Sequence, residues 1–186
     1  TTLSGDGPFT IFAPTNDAFV ALLSSNPEWN SLDDIPLATL TSVLTYHVVA
    51  GDVRSTDLST GYVSTLSSSS IMADGVNTSM YISTEDGVKI NGSTTVIAAD
   101  NVVSNGVIHV VDEVILPANI VSFALSNPDF SSLVSALTRA DLTTDFVSVL
   151  NGEGSFTVFA PTNAAFQVLL DSNADWNTLA DIPVDV

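Results

Sequence analysis

The hydrophobic positions switch between two spacings along the chain. Phe9–Ala13 is a short apolar run of strand type, closed by Pro14. Thr15 or Asn16 then stands where a helix cap belongs, before Phe19, Leu22 and Leu23 on one helical face. Asn26-Pro27 ends that helix, because the residue before a proline is pushed out of the helical region. Pro36 suits the first turn of a second helix, in which Leu37, Leu40, Leu44, His47 and Val48 fall at helical spacing on one face. After Gly51 the texture changes to short β-branched runs broken by Gly, Asn, Asp and Ser. These runs, Tyr62–Leu66, Met80–Ser83, Val88–Ile90, Thr94–Ala98 and Val107–Leu116, predict strands. Asp86-Gly87 and Asn91-Gly92 are hairpin-type turn signals between them, and Pro117 closes the last run. Helical spacing then returns in three stripes: Ile120, Val121, Ala124, Leu125; Phe130, Leu133, Val134, Leu137; and Leu142, Phe146, Val149, Leu150. Segregated helices and strands predict an α+β fold.

The strongest long-range pattern is a repeat. Gly7–Thr39 and Gly154–Val186 align without a gap at an offset of 147 residues, with most positions identical, including Phe12/Phe159, Asn16/Asn163, Trp29/Trp176 and Pro36/Pro183. A period of that size is a domain and not a solenoid turn. The expected division is residues 1–118 as one domain lacking its N-terminal helices, and 119–186 as the helices, first strand and following helix of the next repeat. On this reading Phe12 and Phe159 occupy like environments.

Composition narrows the function. Three Lys and Arg stand against 21 Asp and Glu, a net charge of −18. Arg54, Lys89 and Arg139 cannot make the cationic patch that phosphate recognition or docking on anionic lipid needs, so nucleic acid and direct membrane insertion are not expected. No run of 18 apolar residues is present. The absence of cysteine excludes disulfides, cysteine-based zinc sites and thiol nucleophiles. No calcium-loop pattern, nucleophile elbow or phosphate loop occurs, so no catalytic residue, metal or cofactor is assigned. His47 and His109 read as buried, hydrogen-bonded members of packed elements and not as a metal pair. Asp112-Glu113 fall on opposite strand faces and so do not form an acid–base pair. Trp29 and Trp176 recur with the repeat and read as packing residues. Asn77-Thr78-Ser79 and Asn91-Gly92-Ser93 are N-glycosylation sequons in predicted turns, and Ser64–Ser70 is a candidate for O-linked sugar.

These segments carry a resemblance. Phe9–Phe19 (FTIFAPTNDAF) and Phe156–Phe166 (FTVFAPTNAAF) resemble the first signature box of fasciclin (FAS1) domains. Gly106–Pro117 (GVIHVVDEVILP) resembles the second, and Tyr46-His47 matches the dipeptide between them. The resemblance implies a sandwich or wedge of about seven strands with a helical layer alongside. It implies an extracellular or cell-surface module of tandem repeats that contacts matrix, surface glycans or other copies of itself. It also points to Asp34, Ile35, Tyr46 and His47 as candidate interaction residues, by likeness to integrin-linked segments of animal members. Two alternatives accompany this reading. One is a filament subunit in which residues 119–186 of one chain complete residues 1–118 of the next. The other is a carrier of an apolar, carotenoid-like ligand.

Overall fold

The structure, a computed structural model, describes residues 3, 5–68, 76–152 and 154–184. The chain forms two compact units, Thr1–Pro117 and Ala118–Val186. Ser69 and Ser70 of the serine-rich stretch lie outside the described residues.

The first unit opens with β1 (Phe9–Pro14), α1 (Asn16–Ser24), a 3-10 turn at Leu32–Asp34 and α2 (Leu37–Tyr46). The strands β2 (Val48–Ala50), β3 (Gly61–Ser68), β4 (Asn77–Ser83), β5 (Lys89–Ile90), β6 (Thr94–Val103) and β7 (Gly106–Val111) follow. Seven strands lie in the order β2-β1-β7-β6-β5-β4-β3. All neighbours are antiparallel except β1 and β7, which pair in parallel from Phe9↔Gly106 to Pro14↔Val111. The two signature boxes, almost a hundred residues apart in sequence, are therefore adjacent strands. β3 packs back on β2 and α2, so the curled sheet makes a wedge. Its core is Phe12, Tyr46, Val49, Met80, Ile82, Ile90, Val111 and Ile115. This is the α+β architecture that the segregated pattern predicts.

Three local expectations change. α2 stops at Tyr46, with His47 as its C-cap and Val48 already in β2. Its buried residues are Val43 and Tyr46, whereas Leu37 and Leu44 are exposed. Helical spacing carried across a helix end gave the wrong face. β7 ends at Val111, where Asp112 turns the chain by accepting a 2.7 Å hydrogen bond from the Thr95 amide. Asp112 and Glu113 thus lie beyond the strand, and Glu113 accepts from Thr94 Oγ1 at 3.4 Å. β6, in contrast, runs on past Ala98 to Val103 through two register shifts.

The second unit holds α3 (Ile120–Ser126), a 3-10 turn at Pro128–Phe130, α4 (Ser131–Leu137), α5 (Phe146–Leu150), α6 (Asn163–Asp171) and a 3-10 turn at Leu179–Asp181. Leu133 is buried between its helices, while Leu125 and Val149, members of the predicted stripes, are exposed. Its described residues contain no strand, and Phe156–Ala160 has no strand partner. Phe12 is 1% exposed and Phe159 is 91% exposed, so the two are in unlike environments. The reason is that a β-strand is made by its neighbours. Phe12 lies between β2 and β7, and the 186 residues contain no second copy of the Gly106–Pro117 box.

Candidate functional site

The predicted interaction residues flank α2. Asp34 caps the 3-10 turn before it: its carboxylate accepts from the Asn30 amide at 2.9 Å, the Ser31 amide at 2.8 Å and Ser31 Oγ at 3.2 Å. Those backbone donors, Asn30 first, hold its pKa below the ordinary carboxylate value. Asp181 does the same in the second unit, accepting from the Asn177 and Thr178 amides, and its pKa is likewise lowered. Ile35 is buried against the turn.

Tyr46 and His47 are buried too, and their polar atoms are spent inside the fold. Tyr46 Oη donates to Ser79 O at 2.7 Å and accepts from Asn91 Nδ2 at 3.1 Å. His47 Nδ1 donates to Val43 O at 2.7 Å, and its Nε2 accepts the Ile115 amide at 2.9 Å. A carbonyl only accepts and an amide only donates, so these two contacts fix one neutral tautomer. Burial lowers the His47 pKa, opposed by the Val43 hydrogen bond. The dipeptide thus ties the end of α2 to β4 on one side and to the segment after β7 on the other. Of the four residues, only Asp34 is at the surface. Ile35, Tyr46 and His47 are buried, and exposed positions close to them in sequence include Asp33, Pro36, Leu37 and Leu44.

His109 is fully buried in β7 and is equally committed. It accepts from the Asp100 amide at Nδ1 (3.2 Å), donates from Nε2 to Val53 O (2.9 Å), and lies against the Phe12 ring at 5.4 Å between centroids. Each histidine is engaged with backbone groups of a different segment. Among the described residues, no group of three His, Asp or Glu side chains is placed to hold a metal ion. Sequence reasoning missed the polar clasp next to His109. Asp100, at φ +60, takes the Ser55 amide at 2.8 Å and the Ser55 hydroxyl, while Arg54 forks onto Asp52 at 2.5 and 2.7 Å. The Ser55 hydrogen bonds lower the Asp100 pKa, and the Arg54 guanidinium lowers that of Asp52. The strand-like run Thr94–Ala98 stops short of Asp100, so nothing in the sequence pointed to it.

The two sequons differ. Asn77 is exposed at the first residue of β4. Asn91 sits in a turn at φ +50, accepts the Tyr81 amide at Oδ1 (3.0 Å) and commits Nδ2, the atom a sugar would occupy, to Tyr46. An open groove of about 640 Å³ runs beside α1 and α2, lined in part by Leu22, Trp29, Val43, Leu116 and Pro117. No helix among the described residues is long and apolar enough to cross a membrane.

The chain is similar to several known proteins. A protein from Synechocystis, sll1483, is 44% identical over 116 residues, covering 62% of this chain and 58% of its own length. Human periostin is 30% identical over 170 residues, covering 90% of this chain and 19% of periostin. The immunogenic protein MPB70 of Mycobacterium bovis is 33% identical over 113 residues, covering 60% of this chain and 51% of its own length. The chain thus spans only part of each relative. A FAS1 domain pair from the insect cell adhesion molecule fasciclin I aligns with a TM-score of 0.47 at 20% identity, covering 88% of this chain and 55% of the pair. The Fasciclin domain family model matches residues 1–117 and again residues 128–182. With that match over both units, the chain belongs to the fasciclin domain family.

Proposed function

We propose that this chain is an extracellular adhesion or structural module of a tandem FAS1 protein, making contacts with cell-surface or matrix components and with other FAS1 modules. The observation that carries the reading is the use to which the reactive groups are put. His47 and His109 spend their ring nitrogens on backbone groups of the same unit, and Tyr46 Oη bonds the Ser79 carbonyl and the Asn91 side chain. A group already bonded at both ends and shut from solvent supplies no acid, base or ligand, so what remains for function is surface. The exposed positions along α2 and the turn before it combine acidic Asp33 and Asp34 with apolar Leu37, which is 78% exposed, and Leu44. Isolated apolar side chains among acidic ones suit a contact patch, since hydrophobic anchors ringed by charge are typical of interface centres. The groove beside α1 and α2 is open to solvent and not an enclosed cavity, which suits a surface contact more than an enclosed apolar ligand.

The test is retention of beads coated with the full chain on immobilised matrix proteins, glycans and cell surfaces under flow. Retention above albumin-coated beads is expected on at least one surface. The variant L37D/L44D, which alters exposed positions only, lowers it by roughly tenfold, the equivalent of ~1.4 kcal/mol. Retention equal to albumin on every surface, or recovery of the parent protein from the cytoplasm, would overturn the reading.

A further inference from the structure

The groove beside α1 and α2 has a chemistry that selects its ligand. It lies wholly within the first unit. Leu22, Trp29 and Leu116 contribute apolar wall, Asn26 and Thr39 contribute polar positions, and no ionisable side chain lines it. Three of its polar atoms are unspent. Asn26 Oδ1 accepts the Glu28 amide at 3.0 Å, but Asn26 Nδ2 donates to nothing among the described residues. Trp29 Nε1 and Thr39 Oγ1 have no partner there either. No buried side-chain nitrogen or oxygen among the described residues goes unsatisfied, so these three atoms meet solvent.

The repeat marks Trp29 and Trp176 as packing residues. Both are half-buried, so packing takes only part of each indole. The rest of Trp29 belongs to the groove wall. In the second unit, the hydrogen bonds from the preceding helices to α6 and the turn after it go to Asn163, Leu179 and Ile182. They leave Leu169, Ser172 and Asn173, the counterparts of Leu22, Ser25 and Asn26, exposed. The groove therefore uses positions that the helix contacts of the repeat do not claim.

We propose that this groove binds a neutral polysaccharide. A sugar ring has apolar C–H faces and a rim of hydroxyls. Trp29 offers a flat apolar surface with an N–H donor at its edge, Asn26 Nδ2 a second donor, and Thr39 Oγ1 a group that both donates and accepts. Charge decides between ligand classes. The chain carries a net charge of −18, so a polysaccharide bearing carboxylates or sulfates is repelled before it arrives. A cationic segment is attracted from afar, but that field is screened beyond about 8 Å at physiological salt, and no carboxylate in the groove seats the cation on arrival. A neutral polymer meets neither cost. The open shape admits a long chain laid along the surface, where an enclosed cavity would take a small molecule. One stacked ring and a few hydrogen bonds give weak binding, of order millimolar for a single stretch of sugar. The proposal deepens the module reading above and rests on it, naming the class of surface component that this groove contacts.

The test is affinity electrophoresis of the full chain in native gels that contain β-glucan, xyloglucan, galactomannan or dextran, beside gels with anionic polygalacturonate. Slower migration is expected in at least one neutral gel, and none with polygalacturonate. Trp29→Ala abolishes the retardation, and Trp176→Ala leaves it. Ala38→Leu, which narrows the groove from an exposed position of α2, also abolishes it and keeps the test alive where Trp29→Ala fails to fold. Three outcomes overturn the proposal. The first is unchanged migration in every neutral gel. The second is a retardation that Trp29→Ala and Ala38→Leu both leave intact. The third is seen in the Trp176→Phe chain, where Trp29 is the remaining tryptophan: its fluorescence answers a peptide of lysine and leucine and not soluble fragments of the neutral polymers, which gives the groove to a basic peptide. Beads retained on immobilised proteins, with no shift in any gel, would end this proposal and leave the module reading standing. A parent protein recovered from the cytoplasm would end the module reading whatever the gels show.

Discussion

At the residue scale, the polar groups of the first unit act as fasteners. Tyr46 and Asn91 bridge α2, β4 and the turn between β5 and β6, and His47 joins α2 to the chain after β7. Removing a partner from such a site leaves a buried group unsatisfied, at about 1–3 kcal/mol. His47 also makes stability depend on pH. Its pKa in the folded state is lowered below 6.5 by burial, so between the two values the unfolded chain holds the proton and the folded chain does not. Its contribution is complete above 6.5 and declines as the medium is acidified through that value. Thermal unfolding scanned from about pH 7.5 to 5 is expected to show a falling Tm for the native chain and a flatter profile for His47→Gln. Equal slopes would mean that His47 gains its proton without loss. The lowered carboxylates Asp34, Asp100 and Asp181 act in a separate window, starting where unfolded Asp titrates near 3.8 and continuing below it.

At the scale of elements, the parallel pairing of β1 with β7 is the joint of the first unit. It demands a glycine at its head. Gly106 stands opposite Phe9 at φ +156, and a Cβ there would lie 1.8 Å from Phe9 O. Backbone cannot yield by that much, so Gly106→Ala has to part the two boxes at their first rung. We expect a loss of more than about 3 kcal/mol in urea unfolding, or failure to fold, whereas Gly87→Ala, in an open hairpin turn with nothing within 4 Å, costs only its left-handed backbone strain of ~1–2 kcal/mol. A similar cost at the two sites would remove the close approach as the reason for glycine. The helices are held more locally. Thr15 accepts the Ala18 amide at 3.2 Å and Thr162 the Ala165 amide at 3.4 Å, the same cap in both repeats. This is why α1 and α6 begin at equivalent residues although their surroundings differ.

At the scale of the whole molecule, the repeated box takes two states. Phe12 and Phe159 have the same neighbours in sequence, yet one is core and the other bare. Phe12→Ala should therefore cost about 3–5 kcal/mol in chemical denaturation of the first unit. Phe159→Ala should change stability by less than about 0.5 kcal/mol. Comparable losses would show that Phe159 is packed in solution. What the residues determined by themselves were the features closed within a few positions: the caps at Thr15 and Thr162, the Asp34 and Asp181 turns, the hairpin turn at Asn91, the block of strands after Gly51, and the family likeness carried by the boxes. Each rests on contacts over three or four residues, or on a run of residue types read directly along the chain. What the tertiary structure decided were the features with distant partners. These are the strand state of Phe9–Pro14 against the unpaired Phe156–Ala160, the face that α2 buries, the end of β7, and the burial of Ile35, Tyr46 and His47 at positions where likeness pointed to contact. A strand's hydrogen bonds and a helix's buried side both belong to whatever lies across from them, and that neighbour is set by the rest of the chain.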